Sequence, residues 1–449
     1  MAWAEKVYKV RNGKQTKQFT WRARWTKPDG KPGTWPGFPT KKLAEEYGEK
    51  QEAAIRAGRY IDPAKQQEKF GVLARRWMKA KPKRGATVAK RWNLLEQHIF
   101  PKWEHVALIN ITWFDVDDWQ LNELSCESVT AGHAVSLMSS IMTGAVDARY
   151  LEVNPLYGRR RTLPAGAAAT PAKPKKTDEE KWAPPEVVLQ MARRLGPAVG
   201  LHVLATAFTG LGWGEGAALH RDNVLRTRRQ SHDGGWFECP IIRVDPEVGE
   251  LAEYEGRDPD GEKTGLVLQL EAPKNGNRAR DIDIPPFLAA LLKRHLEVWP
   301  HEYVFCTPSG VFWRRSNFTR AHIRPAADGR KALTVTRGRA ERAAWEPIMP
   351  GLTMRDLRHT HDTYQDQLGV KASLAHDQAG HLRPGIKRIY QHPTPEMRVE
   401  RLKGLQAIYE RAMGNLKWTS IWPEAPNLTQ RARPLNSSQT IFVEEGAAA

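Results

Sequence analysis

The sequence predicts a mainly α-helical chain with small β-sheets, an α+β architecture spread over three domains. Strand-like alternation is confined to short stretches, at residues 6–11, 19–25 and in three runs between 241 and 284. Elsewhere the apolar residues recur at the three-to-four-residue spacing of a helix face. The 449 residues exceed what one core accommodates, and an Ala/Pro/Lys-rich stretch over 158–182 has no apolar period, so it reads as an extended basic linker.

Residues 1–62 form a β-rich module followed by a helix. Turns are expected at Asn12-Gly13 and Pro28-Asp29-Gly30, and Thr40 is placed to cap a helix from Lys41 to Arg56 that ends near Gly58. Arg22 and Arg24 fall on one strand face, with Trp21, Ala23 and Trp25 on the other. Residues 67–157 read as all-helical. Phe70 to Met78 and the stretch around Trp92 and Leu94 have helical apolar spacing, Thr112 opens a further helix, and residues 134–150 form another. A basic cluster, Lys79, Lys81, Lys83, Arg84, Lys90 and Arg91, lies beside Gly85. Residues 183–412 make the largest domain. Helices are expected at 186–195 and 201–209, strands at 241–244, 267–270 and 281–284 with a Lys274-Asn-Gly-Asn turn before the last, and mostly helices after Phe287. Beyond residue 413 the tail, interrupted by Pro423, Pro426 and Pro434, reads as irregular.

Lys and Arg total 69 against 51 Asp and Glu, a formal net charge of +18. Such an excess favours a polyanionic partner, because cationic side chains release the counterions condensed on phosphates. Arg22, Arg24 and the basic cluster from Lys79 to Arg91 are the candidate nucleic-acid contacts. Cys126, Cys239 and Cys306 are far apart and make no CxxC pair, which excludes a disulfide framework and a cysteine zinc site and fits a reducing cytoplasm. No apolar leader opens the sequence and no run of about 18 apolar residues occurs, so a cytoplasmic, nucleoid-associated protein without a membrane partner is expected. His359, His361, His376 and His392 match no zinc spacing, so no metal is expected. The seventeen tryptophans read as core rather than a base-stacking platform.

Four separated elements become informative together: Thr209-Gly-Leu-Gly-Trp-Gly-Glu215, Lys274 on a β-turn, Leu357-Arg358-His359-Thr360, and Gly380-His381 with Tyr390 nine residues beyond the histidine. In this order and spacing the chain resembles the tyrosine recombinases, the phage-type integrases in particular. At the level of layout the resemblance covers residues 1–412, and its specific motifs lie in the last domain. It implies an arm-site module, a helical core-binding domain and a catalytic domain acting on double-stranded attachment-site DNA. It further implies a homotetramer on DNA, a free monomer, a directionality factor, and neither metal nor nucleotide cofactor. Tyr390 is then the nucleophile that forms a 3′-phosphotyrosine and frees a 5′-hydroxyl. Arg358 holds the phosphate, His381 bonds a phosphate oxygen and assists the nucleophile's proton, and Lys274 protonates the leaving 5′-oxygen, with Lys263 and Arg278 as other candidates for that turn residue. Glu215 buttresses the first arginine of the family's pair. The residues suit phosphoryl transfer, in which forked guanidinium groups stabilise charge spread over non-bridging oxygens. An amphipathic segment with apolar residues at 399, 402, 405 and 408 corresponds to the part that docks on a neighbouring protomer in relatives, so docking in trans is expected.

The chain departs from that pattern twice. Gly212 stands where the family has its first arginine, and Arg355 where it usually has a histidine. Losing one preorganised donor costs on the order of 10²–10³ in rate. Arg355 is the expected compensating arginine; Arg221 and Arg226 are less suited. The rival expectations are a non-cleaving DNA-binding protein and a type IB topoisomerase.

Overall fold

A computed structural model describes residues 2–11, 14–80, 84–158, 182–232, 235–274, 276–333, 342–381, 392–423 and 442–444. Asn12-Gly13, Lys81, Lys83, the linker over 159–181 and Tyr390 therefore lie outside the described residues. The chain divides into two units, residues 1–172 with 255–265, and 173–254 with 266–449.

The first unit holds two cores. In one, strands β1 (Trp3–Arg11), β2 (Lys14–Thr26) and β3 (Pro32–Phe38) form an antiparallel sheet in that order. A helix, Lys41–Arg56, is capped as expected by Thr40, whose Oγ1 accepts the Leu43 N–H at 3.3 Å. Ala23 and Trp25 of β2 are fully buried with Ala44 of this helix. The Trp25 indole lies so close to Gly33 that a Cβ there would come within 2.3 Å of the ring, so no larger residue fits. Arg22 and Arg24 occupy the opposite face and share Glu5, Arg24 Nε at 2.8 Å and Arg22 Nη1 at 3.8 Å.

The other core is helical. Helices Phe70–Ala80, Gly85–Leu94 and Ser128–Asp147 bury Phe70, Trp77, Trp92, Met138 and Ile141. The last helix starts earlier than the apolar spacing indicated, because Glu127 to Ala131 already form its first turn. By length and composition it is apolar enough to cross a membrane, yet its apolar side chains are those of this core. Arg91 lies over the Trp77 ring at 4.9 Å, and Lys79 pairs with Asp260. Arg22, Arg24, Lys79 and Arg91, named for DNA contact, thus already have acidic or aromatic partners.

The second unit is built on the helix Pro185–Thr209. Its two predicted halves are real: Gly196, at φ 74° and ψ 174°, breaks it just before Pro197. Around it pack helices Pro286–Val298, Met354–Gln367 and Pro395–Asn415. Strands β4 (Val224–His232), β5 (Gly235–Val244) and β8 (Arg280–Asp283) run antiparallel in that order; β6 (Glu250–Arg257) and β7 (Lys263–Glu271) form a separate hairpin whose residues 255–265 are counted with the first unit.

Several expectations need correction here. The alternation rule missed β4 because its inward position is a charge: Arg228 reaches the buried Asp283 at 2.6 Å. The tail is not irregular throughout, since the last helix runs to Asn415 and β9 (Phe442–Glu444) pairs with β5. The amphipathic segment around 399–408 does not await a neighbour. It packs in cis, burying Leu402, Leu405 and Ile408, stacking Tyr409 on Phe287 at 3.9 Å, and sending Arg398 to Asp283 at 2.8 Å.

Candidate active site

The break after Thr209 sets the site's floor. Gly210 ends the long helix in the left-handed conformation (φ 70°), and a five-residue helix, Trp213–Ala217, follows. It carries Glu215, whose Oε2 accepts the Gly212 N–H at 2.8 Å. The Glu215 side chain is 1% exposed, and an isolated carboxylate so placed is expensive to ionise. Here it is surrounded by guanidinium groups.

Arg280, at the start of β8, grips Glu215 as a fork: Nη1 to Oε1 at 3.0 Å and Nη2 to Oε2 at 3.1 Å. Its Nε donates to the Gln378 carbonyl at 2.7 Å and Nη1 also to the Arg278 carbonyl at 2.9 Å. Arg358, on the helix Met354–Gln367, donates from Nη1 to Glu215 Oε2 at 3.2 Å and from Nη2 to the Ala379 carbonyl at 2.9 Å. That helix is fixed by a capping box in which Thr353 and Asp356 exchange hydrogen bonds. Arg278 Nη1 stands 4.0 Å from Glu215 Oε1 and 3.9 Å from Glu250 Oε1.

Burial by itself would raise the Glu215 carboxyl. The charge and hydrogen bonds of Arg280, then Arg358 and the Gly212 N–H, more than offset this and hold it below the usual carboxylate value. Glu215 is thus a fixed anion that gathers the arginines. His381 is lowered by partial burial and then by the Arg358 charge, against an opposing pull from Asp362, so its neutral form dominates at pH 7. Its backbone N–H donates to His376 at 3.0 Å as the helix Ala372–Ala379 ends at Gly380, φ 67°. A Cβ at Gly380 would come within 3.1 Å of the Arg278 and Arg280 side of the sheet, so the glycine permits that close approach.

A second buried carboxylate, Asp283, anchors the other end of β8. It receives Arg228, Arg398 and Arg401, and Gln378 joins it to the end of the long helix by bonds to the Asp283 N–H and the Thr209 carbonyl. The residues on either side of the 382–391 segment, Gln378 before it and Arg398 after it, are therefore both fastened to β8.

Of the residues predicted from sequence, Glu215 and Arg358 are in contact, and His381 is near enough to feel the Arg358 charge. Lys274 is exposed, with its backbone N–H held by Glu250 Oε2 at 3.0 Å, beside the acid that approaches Arg278. Arg355 is exposed and its Nε donates to His359 at 3.3 Å; the groups around Glu215 are Arg280, Arg358 and Arg278. Arg221 instead bonds the Leu296 carbonyl at 3.0 Å, and Arg226 lies on β4. Sequence reasoning missed Arg280. The available signal was the Arg278-Ala-Arg280-Asp pattern directly behind the Lys274 turn, at a strand start.

No protein-family profile and no curated protein matches this chain. Solved structures similar to it include a lambda integrase tetramer bound to a Holliday junction, at 13% identity and TM-score 0.42, covering 84% of this chain and 95% of that one. The Tn1549 transposon integrase in complex with circular intermediate DNA is similar at 14% identity and TM-score 0.43, covering 77% and 99%. The XerA recombinase is similar at 14% identity and TM-score 0.26, covering 76% and 97%.

Proposed function

We propose that this chain is a site-specific DNA recombinase that cuts and rejoins strands through a phosphotyrosine on Tyr390. The observation that carries the reading is the convergence of Arg280, Arg358 and Arg278 on the single buried carboxylate of Glu215. The three guanidinium groups face two carboxylates, Glu215 and the Glu250 that Arg278 also approaches at 3.9 Å, which leaves net positive charge for an incoming phosphate. The chain's net charge of +18 supports a nucleic acid as the source of that phosphate.

In this reading the Tyr390 oxygen attacks the phosphorus and the bond to the 5′-oxygen breaks. The phenolic proton passes toward neutral His381, and the leaving oxygen takes a proton from Lys274. The 3′-phosphotyrosine keeps the bond energy, so a 5′-hydroxyl of a partner duplex reverses the step and the phenol regains its proton. Arg358 holds a non-bridging oxygen throughout. The partner is attachment-site DNA, with four copies assembled on two duplexes, a monomer when free, and a directionality factor biasing the outcome.

The test is incubation with a nicked attachment site whose cleaved fragment diffuses away. A covalent protein–DNA adduct that disappears in Tyr390→Phe is expected. Specific binding without adduct points to a non-cleaving DNA-binding protein instead, and relaxation of any supercoiled plasmid without a partner site to a type IB topoisomerase.

A further inference from the structure

We infer that Arg278 supplies the phosphate-holding guanidinium that Gly212 does not, with Arg280 as the positioning residue that fixes Glu215 behind it. The assignment rests on the strand-cleavage reading above and deepens it. A guanidinium has five N–H donors. Arg280 commits its Nε, both Nη1 bonds and one Nη2 bond to Gln378, Arg278 and Glu215, and its side chain is 6% exposed. One donor remains, too few for bidentate grip of a phosphate. Arg358 commits two donors and keeps three.

Arg278 differs from both. Its side chain is 28% exposed, and among the described residues its guanidinium makes no hydrogen bond, only loose approaches to Glu215 and Glu250 at 4.0 and 3.9 Å. It is held near the site by charge and remains free to turn its fork toward an anion. Its Cα lies 3.1 Å from where a Gly380 Cβ would stand, immediately before His381, and its carbonyl is clamped by Arg280. A Cβ on Gly212 would meet Arg358 Nη1 at 2.8 Å and Glu215 Oε2 at 3.2 Å, so a side chain there requires the ends of that pair to shift. Gly212 has an ordinary φ of −71°, so backbone conformation does not demand the glycine. Positive charge is thus presented from the β8 edge rather than from the turn after the long helix.

The experiment compares wild type, Arg278→Ala, Arg278→Gln and Arg280→Ala on nicked duplexes whose scissile group is either a phosphate or an uncharged methylphosphonate, with thermal melts of each protein. For both Arg278 variants we expect an unchanged melt, retained DNA binding, and adduct formation slowed by about 10²–10³ on phosphate. On methylphosphonate, where no second negative oxygen needs a cation, the loss should shrink to within about tenfold. Arg280→Ala should instead lower the melt and slow both substrates alike. Arg278 variants that cleave phosphate at the wild-type rate, or that lose equally on both substrates, overturn the assignment. A wild-type protein that forms no adduct on either substrate overturns the cleavage reading itself, which is a different failure.

Discussion

A carboxylate removed from water stays ionised only where cations and N–H groups replace its hydration, and Glu215 and Asp283 each meet that condition with arginines. Removing one partner from such a cluster leaves the others uncompensated. Glu215→Gln should therefore destabilise the second unit by about 3–5 kcal/mol in denaturant titration, and it should slow adduct formation as Arg280 and Arg358 lose their common anchor. Asp283 gives a pH signature. Burial pushes its carboxyl up, but Arg401, Arg398 and Arg228 hold it down to about 2 from an ordinary 3.8. Because the folded value is depressed, the stabilisation is complete above roughly pH 4 and is lost as pH falls toward 2, a contribution of about 2 kcal/mol. Melts from pH 6 to 2.5 should show this acid limb flattened in Asp283→Asn relative to wild type. Arg358, Glu215 and His381 could be singled out from sequence because they lie in the short motifs that carry the resemblance. Arg280 was not, since its meaning depends on a strand bringing it to an acid 65 residues earlier.

At the scale of elements, the helix Pro395–Asn415 is the clearest case of a pattern read correctly and placed wrongly. The apolar spacing at 399, 402, 405 and 408 identifies an amphipathic helix, but periodicity does not say which surface covers it. Arg398 and Arg401 decide the matter, because both are buried against Asp283 of β8 in the same unit. Leu405, fully buried, should cost about 2–5 kcal/mol when truncated to Ala. A chain ending at residue 394 should lose cooperative melting of the second unit; unchanged melting would instead indicate a segment free to dock on a neighbour. Local chemistry was readable where it is self-contained, as in the Thr40 cap and the separate helical stretches at 186–195 and 201–209. It failed at β4, where Arg228 sits where an apolar residue normally marks the inward face.

For the whole molecule, the formal charge of +18 is the largest-scale fact and was visible from composition. Its distribution was less so. Arg22 and Arg24 share Glu5, Lys79 pairs with Asp260 and Arg91 lies over Trp77, so these side chains must exchange an existing contact for a phosphate. Residues 1–62 carry a core of their own. Deleting them should weaken but not abolish DNA binding and reduce the slope of log K against log salt by about 2–4, each lost phosphate contact contributing roughly 0.9. An unchanged slope would show that this module makes no phosphate contacts.

The chemistry itself is read most directly by mapping the covalent link. Digesting the protein–DNA adduct and sequencing the modified peptide by mass spectrometry should find the nucleotide on Tyr390, joined through a 3′-phosphate, with a free 5′-hydroxyl on the released strand. A link to any other residue, or a 5′-phosphate attachment, would contradict the account.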